Sequence, residues 1–177
     1  MLNQTPKTAF KKIFTFSAGS ETFGLPLHLL QEVIYPEHLT PVPHAPQYMA
    51  GILNYGSEAV PVLDISKKLF LSAPSIRVHP PAVIISTSIE GKETLLALLV
   101  ERFGKIVQYK AAETVKRKNI PFHPSSAKGR QLAHNSATYA QSREAIRKFV
   151  REELYRAGVR IRLLDETALL SLTELTR

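Results

Sequence analysis

The stretch Gln47–Ile65 reads Q-Y-M-A-G-I-L-N-Y-G-S-E-A-V-P-V-L-D-I, and its pattern sets the fold class. Pro46 stands where helices favour proline, at the first position, so Gln47 to Ala50 read as one helical turn. Asn54-Tyr55-Gly56-Ser57 is a tight bend, since Gly and Asn tolerate the left-handed backbone that sharp reversals need. Ala59 to Leu63 is a short apolar run of strand length that closes on Asp64. None of these residues is a nucleophile, a metal ligand or a phosphate cradle. The stretch reads as a scaffold for contact.

Working outward, the same strand-and-turn grammar repeats. Phe14 and Phe16 share a face with Thr15 between them, so Phe10 to Phe16 is a strand. Ala18-Gly19-Ser20 turns it back into Thr22 to Leu25. Leu27 to Ile34 reads as a helical turn running into a strand. Thr40 to Pro46 holds three prolines, which remove donors and keep the chain extended. Downstream, Pro81 to Ile89 and Thr94 to Glu101 form an apolar hairpin about Glu90-Gly91-Lys92-Glu93, and Ile106 to Tyr109 adds a further strand. Residues 110–137 lack periodicity and read as a long loop or arm. Thr138 to Ala157 carries an apolar stripe (Ile146, Phe149, Val150, Leu154, Ala157) and predicts one long amphipathic helix ended by Gly158. Its basic flanks, Arg143, Arg147, Lys148 and Arg151, are candidates for an interface.

Asp64 and Asp165 are the two aspartates of the chain, and each ends a strand ahead of paired apolar residues, Leu69-Phe70 and Leu169-Leu170. A carboxylate there accepts from the exposed amides of the next turn, so both are expected to be helix N-caps rather than an acid/base pair. The recurrence hints at two subdomains of similar build.

Composition narrows the function classes. With 177 residues, 44% hydrophobic and 21% charged, the chain fits one domain or two small subdomains sharing a core. There is no Cys, which excludes disulfides, thiolate metal sites and a catalytic thiol. The six histidines show no metal-ligand spacing, and neither a Gly-rich phosphate loop nor a nucleophile elbow is present. No catalytic residue, metal site or cofactor is therefore expected. The lead-in 1–9 has no signal-peptide core and no run is long enough to span a bilayer, so a cytoplasmic protein is expected. Net charge is +8, and residues 101–162 carry fifteen basic against five acidic residues. That concentration makes an anion-binding module, for nucleic acid or acidic membrane through residues 110–160, the second reading. The lack of aromatics interleaved with the basic residues argues against nucleic acid.

Several runs together resemble the CheW-like domain family, the adaptors of bacterial chemosensory arrays. They are Phe23-Gly24-Leu25, Leu30-Gln31-Glu32-Val33, Thr40-Pro41-Val42-Pro43, the opening stretch itself, A-L-L-V-E-R-F-G-K-I-V from Ala97, and R-I-R-L-L-D-E-T-A-L-L from Arg160. The resemblance covers nearly all of residues 10–112 and 158–172. It implies a mainly β fold of two small SH3-like five-stranded β-barrels with short helices, occupying residues 10–177. It also implies a non-catalytic adaptor that couples chemoreceptor tips to the regulatory domain of a CheA-type histidine kinase in a two-component array. Carried over by position, Leu30, Glu32, Val33, Gly51, Asn54, Tyr55, Gly56 and Ser57 fall in the contact region. Open sheet edges leave room for self-association. Two departures stand out. Where the family has L-R-G this chain has Tyr55-Gly56-Ser57, so the arginine is replaced by Gly56. Residues 113–157 also exceed the usual connection and read as a basic loop-plus-helix insert. The departures suggest a specialised array, for example one serving surface motility.

Overall fold

Period-two alternation sends successive side chains to opposite faces of a strand, and here both faces are buried along most strands. The computed structural model describes residues 10–19, 21–69, 71, 79–89, 91–116 and 136–169; the lead-in 1–9 and residues 117–135 lie outside them. The strands are β1 (Phe10–Ala18), β2 (Glu21–Pro26), β3 (Leu30–Ile34), β4 (Met49–Tyr55), β5 (Glu58–Asp64), β6 (Ala82–Ile89), β7 (Lys92–Leu99), β8 (Arg102–Lys110), β9 (Thr114–Lys116), β10 (Val150–Arg156) and β11 (Val159–Leu164). Among the described residues three α-helices accompany them, α1 (Ile65–Lys68), α2 (Ser136–Phe149) and α3 (Glu166–Leu169), besides short 3-10 turns at Leu27–Leu29 and Ala111–Glu113. The first sheet runs β8-β1-β2-β11-β10-β9 and the second β3-β6-β7-β5-β4, which makes six and five strands against the five and five expected. The architecture is mainly β in two subdomains.

Three apolar clusters follow from the alternation. Ile13, Tyr109, Leu154, Ile161 and Leu163 fill the inside of the first sheet. Leu53, Val60, Val62, Ile84 and Ala97 fill the second. Neighbouring residues on the same strands, among them Phe14, Phe16, Phe23, Leu63, Val83, Ile85, Leu98 and Leu164, turn the other way into a central core shared by both sheets. Ala145, Ile146 and Phe149 bring α2 onto that core.

The two subdomains repeat one plan. β5 pairs antiparallel with β4 and parallel with β7; β11 pairs antiparallel with β10 and parallel with β2. The Lys67 amide donates to Asp64 Oδ1 at 3.0 Å, and the Ala168 amide donates to Asp165 Oδ1 at 3.3 Å. Asp64 N–H donates to the Tyr48 carbonyl at 2.8 Å and Asp165 N–H to the Phe149 carbonyl at 2.7 Å. A register shift falls at Met49/Gly51 in one and at Val150/Glu152 in the other. The repeat is permuted in the chain, because the first sheet takes β1–β2 from one end and β8–β11 from the other.

Three expectations need correction. Gln47 to Ala50 is no helical turn: a single reversal closes with Met49 N–H on the Pro46 carbonyl at 2.8 Å, and β4 starts at Met49. The long helix stops at Phe149 rather than Ala157. Val150 and Leu154 satisfy both a 3.6 and a 2 period, and pairing on both sides, with β9 and β11, decides for strand. Ala157 and Gly158, at φ of 48° and 76°, form the two-residue hairpin loop, which requires positive φ at both positions. Residues 113–157 are consequently no simple insert, since they supply β9 and β10 to the first sheet.

Where β2 meets β11, a buried charge cluster spans three strands. Arg162 on β11 donates from Nε to Glu153 Oε1 on β10 at 3.1 Å and from Nη1 to Glu21 on β2. The Arg162 and Glu153 side chains are each 2% exposed. Burial lowers the Arg162 pKa to about 10. Burial raises that of Glu153, opposed by the charge of Arg160. Removing one partner of such a group leaves a carboxylate without its cation inside protein, which costs about 3–5 kcal/mol. Arg162→Met is expected to lower unfolding free energy by about that amount in urea titrations, with the loss mapped by amide exchange to β2, β10 and β11.

Candidate docking site

The expected contact residues gather at the rim of the second sheet, on β3 and the β4–β5 hairpin. These strands lie at opposite ends of the sheet order. Curling brings them together, and the Tyr55 hydroxyl on β4 donates to Glu32 Oε2 on β3 at 2.5 Å. The half-buried Tyr55 ring packs on the cluster around Leu53 and Val60, which fixes where its hydroxyl points. Glu32 itself is exposed. The bond to Glu32 raises the Tyr55 pKa, because the neutral hydroxyl donates to a carboxylate whose charge also disfavours a phenolate.

The first sheet closes in a related way. Arg156, the last residue of β10, donates to Glu113 Oε1 at 2.9 Å and to the Gln108 carbonyl of β8 at 3.1 Å. The Lys110 amide donates to Glu113 Oε2 at 2.6 Å, so two outward groups of the β8 edge are satisfied. The backbone bond from Lys110 is the main cause holding the Glu113 pKa below the usual carboxylate value.

The eight residues do not all face solvent. Leu30 and Val33 are half-buried against the central core. Gly51 is buried at φ 144°, where a Cβ would stand 2.6 Å from the Thr40 carbonyl oxygen. That close approach belongs to the bridge between Thr40 and Ile52, whose two hydrogen bonds are each 2.8 Å. Gly51 is thus a structural residue. Asn54, Gly56 and Ser57 are exposed, Tyr55 is half-buried, and Gly56 takes φ 61° in a two-residue loop where an added Cβ would meet open space. The surface part of the site is therefore Glu32, Asn54, Tyr55, Gly56 and Ser57.

The basic residues read as an interface fall on two elements. Arg147 and Lys148 are exposed on α2. The Lys148 ammonium lies 5.2 Å from the Phe149 ring. Arg151 sits in β10 and bridges to Glu166 Oε2 at 3.4 Å. The Arg143 side chain lies outside the described residues. Among the described residues, no group of three His, Asp or Glu could hold a metal ion, and no helix is long and apolar enough to cross a membrane. Sequence reading missed the Tyr55–Glu32 and Arg156–Glu113 bonds because their partners are 23 and 43 residues apart, far outside any local pattern.

The CheW-like domain model matches residues 12–125, from β1 through β9. The chain belongs to the CheW-like domain family. Curated relatives of this family include the chemotaxis protein CheW of Treponema pallidum (strain Nichols), 22% identical over 96 residues, 54% of this chain and 56% of that protein. The chemotaxis protein CheW of Rhizobium meliloti (strain 1021) is 28% identical over 99 residues, covering 55% and 60%. Protein FrzA of Myxococcus xanthus is 33% identical over 70 residues, 40% and 42% of the two chains. This chain thus matches little more than half the length of the two CheW relatives. The crystal structure of the scaffolding protein TtCheW from Thermoanaerobacter tengcongensis superposes with a TM-score of 0.68 at 18% identity, covering 94% of this chain and 96% of that one. That likeness extends the CheW-like fold over nearly the whole chain.

A group whose folded pKa is raised contributes stability below its ordinary pKa and loses it as pH rises through the folded value. Burial also raises the Tyr109 pKa. Ultraviolet titration is therefore expected to show Tyr55 and Tyr109 ionising late, the first of these signals disappearing in Tyr55→Phe. The extra alkaline loss of stability from the Tyr55–Glu32 bond should vanish in the same variant.

Proposed function

We propose that this chain is a non-catalytic adaptor that couples chemoreceptor tips to a CheA-type histidine kinase, docking through the rim of the second sheet. The observation that carries the reading is the family match over 12–125, which spans β3 and the β4–β5 hairpin. The exposed Glu32, Asn54 and Gly56–Ser57 loop present polar groups and open backbone there. A rim held in shape by Tyr55 and lacking bulk at Gly56 lets a partner backbone approach closely.

The partner is inferred to be a specialised one. Family members offer an arginine at the place of Gly56, a rigid fork of donors suited to carboxylates. Residues 13–66 of this chain contain no Lys or Arg and five acidic residues, so the rim has changed sign as well as shape. A partner matched to a basic rim would meet Glu32 and Glu58 instead. This favours an array distinct from a standard chemotaxis array, such as one serving surface motility, with the adaptor in the cytoplasm beside its receptors.

Isothermal titration against the CheA-type regulatory domain and the receptor tip fragments of the same genome tests the reading. Binding to at least one is expected, and Glu32→Arg should weaken it about tenfold, or 1.4 kcal/mol. Absence of association with every kinase and receptor fragment would remove the assignment.

A further inference from the structure

The doubled plan is broken at one buried position. Lys68 ends α1 behind the Asp64 cap just as Leu169 ends α3 behind the Asp165 cap. Both are buried, Lys68 at 4% exposure and Leu169 at 3%. Leu169 belongs to the central core. The Lys68 ammonium instead lies 3.8 Å from the Tyr48 ring centroid and 5.2 Å from that of Phe149. These two aromatics are equivalent in the repeat, since their carbonyls accept the N–H of Asp64 and of Asp165. Tyr48 leads into β4 of the second sheet, and Phe149 ends α2 ahead of β10 of the first. One ammonium is thus shared by an aromatic ring from each subdomain.

Burying an ammonium costs free energy that a leucine at the same place does not incur. A basic residue in the last turn of a helix commonly complements its dipole. That role suits the exposed Lys67, which also reaches Asp64 Oδ2 at 3.7 Å. It does not account for an ammonium turned inward onto two rings. Lys148 approaches the Phe149 ring as well, yet it is exposed on α2 itself and ties that helix to nothing in the second subdomain.

We propose that Lys68 is a latch that holds the C-terminal end of α2 shut over the core shared by the two subdomains. A cation removed from water is drawn to an aromatic face more strongly than an exposed one, and here two faces act on one charge. α2 brings Ala145, Ile146 and Phe149 to that core. Loss of the latch frees the Phe149 ring from α1, while the bond from Asp165 N–H to the Phe149 carbonyl keeps the start of β10 in place. Loosening is therefore confined to α2 and leaves both sheets folded. The latch does not depend on the adaptor reading.

The test uses the full chain and the variants Lys68→Met, Lys68→Arg and Lys148→Met, followed by amide hydrogen exchange and proton NMR. Lys68→Met keeps the length of the stem and removes the charge, so it is expected to speed exchange in α2 about tenfold while both sheets exchange as before. Lys68→Arg, whose guanidinium also stacks on rings, should restore slow exchange to within about twofold. Lys148→Met should leave α2 unchanged. In the unsubstituted chain the Lys68 ε-methylene protons should resonate upfield of those of exposed lysines, because they lie against ring faces. Slow α2 exchange in Lys68→Met would assign the position to packing of the stem and overturn the latch. So would equal acceleration across both sheets, Lys68→Arg as labile as Lys68→Met, or acceleration of α2 in Lys148→Met. An ε-methylene signal at the ordinary lysine position would overturn it without any variant, including the case in which Lys68→Met fails to fold.

Discussion

The structure depends on the parallel pairing of β2 with β11, where residues near the two ends of the chain meet. The first sheet exists only if Glu21–Pro26 finds Val159–Leu164, and loop closure over that distance is entropically costly. Arg162 stands at the junction, on the central strand of three, and bonds to Glu21 on one side and Glu153 on the other. A slip of one residue would turn it into the apolar interior beside Ile161 and Leu163. The cluster therefore reads as a device that fixes register and partner at the pairing that spans the most chain among the described strands. The second sheet has no such need, since β3 to β7 follow one another in the chain and its equivalent strands are apolar there.

A shared core makes the junction matter to the docking rim. Phe14, Phe16 and Phe23 of the first sheet and Leu63, Val83 and Ile85 of the second bury each other. Leu30 and Val33 of β3 rest on the same core, so β3 is placed by packing that the first sheet completes. Only then does Tyr55 find Glu32 across the seam. In both subdomains the last residue of the strand before a two-residue loop ties that strand to the opposite edge, with a hydroxyl in one and a guanidinium in the other.

Much of this was legible in the residues. The hairpins, the proline-held segment 40–46, the Asp64 and Asp165 caps and the doubled plan all follow from turn chemistry and local spacing. The start of β4 was not legible, because Pro46 favours a helical turn where the structure begins a strand at Met49. The Val150–Arg156 strand was not, since Val150 and Leu154 suit a helix equally and only β9 and β11 decide between them. The charge cluster was invisible for the same reason: Glu21 and Arg162 are separated by 141 residues. Within the candidate site, side-chain orientations were not legible. Leu30, Val33 and Gly51 serve packing, while Glu32, Asn54 and Tyr55 reach the surface.

We propose that a receptor or kinase meets the rim formed by β3 and the β4–β5 hairpin. Hydrogen–deuterium exchange of the chain, alone and saturated with its receptor tip fragment, tests it directly. Slowed exchange is expected over residues 30–34 and 54–58, with α2 unchanged. Protection confined to α2, with the rim exchanging as in the free chain, would contradict it.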